Sequence, residues 1–183
     1  MARPSGSIAV LGAGSWGTAL ALQLCRAGHR VRLWSHSADE IAALVRDREN
    51  KAFLPCVPLP NEIEPVADLD AALRDSGDVL LVVPSHAFAD VVRRVAPRLG
   101  TQTGIAWATK GLDPVSGRLL HEVARDAMGG RELAVISGPS FAGEVAAGLR
   151  QLGLRMLQGD LEGRGINFEQ QRPGFDPLLI DDL

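Results

Sequence analysis

Gly12-Ala13-Gly14-Ser15-Trp16-Gly17 follows the apolar run Ser7-Ile8-Ala9-Val10-Leu11, and apolar residues recur at helical spacing behind it, at Trp16, Leu20, Leu24 and Ala27. Three glycines spaced G-x-G-x-x-G between a strand and a helix make a turn suited to a pyrophosphate. Gly12 permits the tight turn off the strand, Gly14 lets a phosphate approach the backbone, and Gly17 lets the helix pack close to the sheet. The unpaired N–H groups of the first helical turn sit at the positive end of the helix dipole and favour an anion. Glycines alone would mark only a loop; the strand before and the helix after carry the dinucleotide reading.

The second chemical signal lies at the end of the next strand. Gly28 is the residue type a left-handed helix cap requires, and His29 to Trp34 reads as the second strand. An Asp or Glu about 20 residues past the glycines would suit a free ribose 2′-hydroxyl. Here Ser35 and His36 stand instead, with Arg32 nearby and no acid before Asp39. A hydroxyl and an imidazole suit a 2′-phosphate, which favours NADP(H) over NAD(H). His36 is either that contact or a polar loop residue.

Lys110, one of two lysines in the chain, follows another strand. There an ammonium can pair with a phosphate or polarise a carbonyl. Gly138-Pro139-Ser140 follows a further strand. Its N–H groups and the Ser140 hydroxyl make either a small anion site or a plain turn with a capping serine. His86, beside Ser85, reads as a polar loop residue. Cys25 and Cys56 form no metal pattern and are expected as free thiols.

These groups need a scaffold that brings them together. A helix is expected over Ala38 to Asp47, with Ile41, Leu44 and Val45 inward and Ser37 and Glu40 spaced as a capping box. Glu49 to Pro60 contains three prolines in six residues and reads as an extended loop. Asp68 to Arg74 reads as a short helix, Asp78 to Val83 as a buried parallel strand, and Ala87 to Leu99 as a helix. Gly104 to Ala108 and Glu132 to Ile136 read as strands on either side of a helix from Arg118 to Met128. Alternating strands and helices imply an α/β fold, a Rossmann-like, doubly wound, mostly parallel sheet in a single domain. In such sheets ligands bind beyond the carboxyl ends of the strands. The glycine turn, Pro84 to His86, Thr109 to Gly111 and Ser137 to Ser140 should therefore converge on one crevice.

Composition sets the outer bounds. The chain has 183 residues, 46% of them hydrophobic and 22% charged, enough for one domain with a real core. A net charge of −3 without a basic run argues against nucleic acid as a partner. No apolar stretch reaches the ~20 residues needed to cross a bilayer, and the polar start lacks the apolar region of a signal peptide. A cytoplasmic protein is expected.

Four segments, in order, resemble the NAD(P)-dependent sn-glycerol 3-phosphate dehydrogenases. They are G-A-G-S-W-G-T-A-L-A at Gly12 to Ala21, E-N-K-A-F-L-P at Glu49 to Pro55, A-T-K-G-L at Ala108 to Leu112, and S-G-P-S-F-A-G-E-V-A at Ser137 to Ala146. The last is the most specific. The resemblance implies cofactor contacts at Ser15, Trp16 and His36, with Ala142 near the cofactor. It implies that Lys110 meets both cofactor and substrate, and that Gly138 and Ser140 meet the substrate, dihydroxyacetone phosphate or sn-glycerol 3-phosphate. A reductase of the hydroxyacid or ketopantoate type shares the glycine turn but leaves Ser137 to Ala146 unexplained.

Three departures stand out. Cys56 occupies a position where the family usually has glycine, and Gly143 one often held by a larger residue. From Arg150 the sequence leaves the family's pattern. The reading is thus an NAD(P)-binding Rossmann domain over 1–149 and a divergent, flexible tail over 150–183, with the family's helical substrate domain absent. The rival is an extension that packs on the domain through Leu178-Leu179-Ile180. The family's general acid/base lysine has no counterpart after Lys110, so no catalytic residue is expected. Binding of NADP(H) without turnover is the alternative function, and apolar surface left uncovered would lead to self-association.

Overall fold

A computed structural model describes residues 7–131, 133–137, 141–148 and 155–157. β1 (Ser7–Leu11) runs into the glycine turn and α1 (Ser15–Arg26). Gly28, at φ +90°, ends α1, with its N–H bonded to the Cys25 carbonyl and that of His29 to the Leu24 carbonyl. β2 (Val31–Trp34) and α2 (Ala38–Asp47) follow, and the Ser37 hydroxyl accepts the Glu40 N–H as expected for a cap. The reciprocal half of the capping box is not made, because Glu40 accepts a hydrogen bond from the Ser35 hydroxyl instead.

After a short hairpin come β5 (Ile63–Val66), α3 (Leu69–Leu73), β6 (Ser76–Leu81) and α4 (Ser85–Val95). β7 (Gly104–Trp107), α5 (Leu120–Met128), β8 (Leu133–Ser137), α6 (Ala142–Ala146) and β9 (Arg155–Leu157) complete the described chain. The sheet runs β5-β2-β1-β6-β7-β8-β9, parallel throughout except for β9. Counting only its parallel strands in chain order, this is the 3-2-1-4-5-6 order of a doubly wound dinucleotide fold. The chain reverses its direction of progress between β1 and β6, the switch point at whose carboxyl ends such folds hold a ligand in a crevice.

Alternate residues of each strand feed two cores, which explains the unbroken apolar runs. Ile8, Val10, Leu33 and Leu80 face Leu20 and Leu24 of α1 and Ile41 and Leu44 of α2. Ala9, Leu11, Val79, Leu81 and Ile105 face α3, α4 and α5 through Leu73, Phe88, Val92 and Ala124. Phe88 meets Trp107 edge to face at 5.7 Å between ring centroids, an arrangement that adds about 1 kcal/mol to simple burial.

Several elements differ from the sequence-based expectation. Glu49 to Pro60 is a hairpin rather than a loop, with β3 (Glu49–Asn50) antiparallel to β4 (Leu54–Pro58). Its prolines exclude a helix but not an edge strand, where a missing N–H costs nothing. The same reason hid β5, which carries Pro65 and lies on the sheet edge beside β2. α4 begins two residues early, at Ser85, and gives way at Pro97 to a 3-10 turn over Ala96–Arg98. α5 begins at Leu120, because Leu119 bridges back to Leu112. Val45 is exposed, since α2 lies against the sheet edge and buries only a narrow stripe at Ile41 and Leu44. Of the segment expected to be a flexible tail, Arg155–Leu157 pairs antiparallel with β8, whose edge offers unpaired backbone groups. The remainder of 150–183, with Leu178 to Ile180, lies outside the described residues.

Candidate functional site

The crevice is built first from the glycine turn. Gly12 has φ +122°, a region side chains avoid, and a Cβ there would sit 2.3 Å from the Val82 carbonyl oxygen. A Cβ on Gly17 would lie 1.7 Å from the Gly12 carbonyl oxygen, so glycine here lets α1 close onto the turn. Gly14 differs: its Cβ would meet nothing within 4 Å. The open side of the turn is therefore at Gly14, beside the start of α1. No side chain caps α1 at Gly14, and its first turn carries no acid. Backbone N–H groups at a positive dipole end, beside open space, fit the pyrophosphate of a dinucleotide.

The neighbouring loops are tied to this turn. β6 extends the sheet past Leu81, where the Val82 N–H bonds to the Leu11 carbonyl at 2.8 Å. The buried Thr109 hydroxyl donates to the Val83 carbonyl at 2.8 Å, fixing the loop after β7 on the loop after β6. Gly111, at φ +100°, brings that loop against Ser85, 3.9 Å from where its Cβ would stand. Between these anchors Lys110 is exposed, with its Nζ 5.9 Å from the centroid of the Trp16 ring. A cation over an indole face at this range is attracted to the ring quadrupole. Ser15 is exposed and Trp16 half-buried, packed against the core on the α1 side.

Farther along the loop, the Asp113 carboxylate accepts hydrogen bonds from the Ser116 hydroxyl at 2.5 Å and the Ser116 N–H at 2.9 Å. These bonds, the hydroxyl's first, hold the Asp113 carboxyl below its usual range. The Leu112–Leu119 bridge closes the loop behind it.

His36 stands exposed past the end of β2, on the other side of β1 from Lys110. Ser35 is buried and its hydroxyl is committed to Glu40. Arg32 is drawn to Glu64 at 3.6 Å and to the Arg74 carbonyl. Of the three polar groups noted at this position, His36 alone faces outward at the strand end. His86, in the first turn of α4, is also exposed.

Ala142 opens α6 and packs against the same core as Trp16. α1 holds α6 in place: Gln23 donates to the Val145 carbonyl, and Arg26 to the Val145 and Ala146 carbonyls. Gly138 and Ser140 lie outside the described residues.

Sequence reasoning missed Asn50 and Thr18. Both are buried, and the Asn50 amide donates to the Ala13 carbonyl at 2.8 Å and to the Thr18 hydroxyl at 2.7 Å. Between Glu49 and Lys51, Asn50 reads as a surface residue; its place in the shared E-N-K-A-F-L-P segment was the available signal. Among the described residues no cluster of three or more His, Cys, Asp or Glu could hold a metal, and no helix is long and apolar enough to cross a membrane.

The geometry agrees with three comparisons. A family model described as NAD-dependent glycerol-3-phosphate dehydrogenase N-terminus matches residues 7–151. Glycerol-3-phosphate dehydrogenase [NAD(P)+] of Aeromonas salmonicida is 56% identical over 144 residues, covering 78% of this chain and 43% of that protein. The Escherichia coli protein of the same name is 52% identical over 150 residues, 81% of this chain and 44% of its own length. The crystal structure of glycerol-3-phosphate dehydrogenase from Coxiella burnetii superimposes with a TM-score of 0.75 at 50% identity, covering 78% of this chain and 44% of that one. The chain thus spans less than half the length of these relatives.

Proposed function

Since this chain belongs to the NAD-dependent glycerol-3-phosphate dehydrogenase family through its N-terminal domain, we propose that it holds NAD(P)(H) for the interconversion of dihydroxyacetone phosphate and sn-glycerol 3-phosphate. The observation that carries this reading is Lys110 poised over Trp16, beside the open N-terminus of α1. It joins the dinucleotide turn after β1 to a cation after β7, two strands along the sheet, as a phosphorylated substrate next to a cofactor requires. The bound cofactor supplies or accepts the hydride. Gly12, Gly14 and Gly17 shape the turn, and the N–H groups near Ser15 and Trp16 bind the pyrophosphate. Lys110 reaches both ligands, with Ala142 flanking the cofactor and Gly138 and Ser140 on the substrate side.

The outward His36 favours a 2′-phosphate, and hence NADP(H), because an imidazole can donate to or pair with the anion. The family's soluble chemistry makes the cytoplasm the expected compartment. A second reading is binding without turnover by the residues present here, which match the N-terminal family model and 43–44% of the relatives' length.

Titration of the full chain with NADPH and with NADH, followed by cofactor fluorescence, tests the binding reading. Saturable binding, tighter for NADPH, is expected; binding of neither cofactor overturns the reading. NADPH oxidation on adding dihydroxyacetone phosphate then separates the two: turnover supports the enzyme reading, and binding without oxidation supports the second.

A further inference from the structure

Asn50 belongs by sequence to the β3–β4 hairpin, yet its side chain bonds mostly to another part of the molecule. Its amide nitrogen donates to the Ala13 carbonyl and to the Thr18 hydroxyl, and its amide oxygen accepts the Phe53 N–H at 3.3 Å. A carbonyl can only accept and a backbone N–H can only donate, so this pattern fixes which end of the amide is which. Thr18 lies behind the turn with its hydroxyl 3.5 Å from the same Ala13 carbonyl. Ala13 is the residue between the first two glycines, and among the described residues its buried carbonyl accepts from the Asn50 amide and the Thr18 hydroxyl.

The chain delivers Asn50 there by specific means. Arg48 ends α2 in the left-handed region, at φ 49°, and turns the chain toward α1. Its guanidinium donates to the Leu59, Pro60 and Ile63 carbonyls, fastening the far end of the hairpin. Asn50 is thereby pinned from its own side and reaches across to the turn.

We propose that Asn50 is a positioning residue for dinucleotide binding: by holding the Ala13 carbonyl against Thr18, it fixes the Gly12–Gly14 backbone so that the first N–H groups of α1 face the pyrophosphate. This rests on the cofactor reading above. Two of the three Asn50 amide bonds end on the turn and on the helix that the turn starts.

The test compares two ligands on the full chain by calorimetry or fluorescence competition. ADP-ribose carries the pyrophosphate; 2′-AMP reaches only the adenosine end near His36. Asn50→Ala is expected to weaken ADP-ribose about tenfold, the scale of one lost buried hydrogen bond, with 2′-AMP within about twofold, close to measurement scatter. Thr18→Val, which removes the second anchor, gives the same selective loss at about threefold, as a single neutral bond would, and Thr18→Ser restores binding. Equal weakening of both ligands, or of neither, overturns the proposal. Should Asn50→Ala fail to fold, the Thr18 pair decides by the same ratio. A wild-type chain that binds neither ligand overturns the cofactor reading itself, an outcome distinct from wild-type binding with an unselective variant.

Discussion

The glycine turn and the loop after β7 border the same crevice but are held in opposite ways. At the turn, backbone packs on backbone: Gly12 on Val82, Gly17 on Gly12, with buried Asn50 and Thr18 closing it from behind. The loop after β7 is fastened at its start by Thr109 and within by Asp113, while Lys110, Leu112, Val115 and Leu119 are exposed. One region is an extension of the core. The other presents side chains outward from a few anchors. Groups that must fix a phosphate by backbone geometry cannot move, whereas a lysine acting by charge needs only to be delivered to the crevice.

The sharpest way to break this contrast is Gly17→Ala. Its methyl would overlap a carbonyl oxygen that has no room to retreat, and a loss of about 3 kcal/mol in chemical denaturation is expected, with nucleotide binding lost as well. Gly14→Ala is the control at the same turn: its methyl meets open space. Stability should hold or rise by about 0.5 kcal/mol, while NADPH binding weakens because the phosphate loses its approach.

Lys110→Ala should separate the two effects that Gly17→Ala combines. Its side chain is exposed, so stability should change by no more than about 0.5 kcal/mol, while NADPH affinity falls by about tenfold, as for loss of one charge-assisted contact. A large stability loss with unchanged affinity would erase the proposed division between the two regions.

Cys56→Gly probes the hairpin that carries Asn50. Cys56 sits at φ +64°, where a side chain costs about 1 kcal/mol, so glycine should raise stability by up to about that much in thermal or denaturant melts. An unchanged or lowered stability would mean the hairpin does not hold this backbone conformation in solution.

The smallest expected effect is local. The Asp113 carboxyl is held below its ordinary value in the folded chain, so its loop contacts contribute fully above the ordinary carboxylate range. They are lost as pH falls through the lowered value. Hydrogen-exchange protection at Ser116 and Gly117, corrected for the intrinsic rate at each pH, should fall in acid before that of the strands, and Asp113→Asn should remove that early step. Protection that falls uniformly across the chain would count against a separately held loop.

Much of this was legible in residue types. The order of strands and helices, the turn at Gly12, the cap at Gly28 and the Ser37 cap follow from local rules, because each needs only neighbours in sequence. The resemblance marked Cys56 as a departure from glycine, and the structure holds it at positive φ, the region that favours glycine. What local rules missed were edge elements and long-range partners: prolines hid β4 and β5, whose pairing depends on the strand beside them.

The sequence by itself determined that this chain makes a dinucleotide turn on a parallel sheet, since glycine spacing and apolar runs have few other uses. Only the tertiary structure decided which polar residues serve that turn. Lys110 lies 94 positions from Trp16 and Asn50 lies 37 from Ala13, separations across which no periodicity carries information. Contacts of that kind exist because the sheet order sets β1 beside β6 and β7 next along, and because Arg48 bends the hairpin back toward α1.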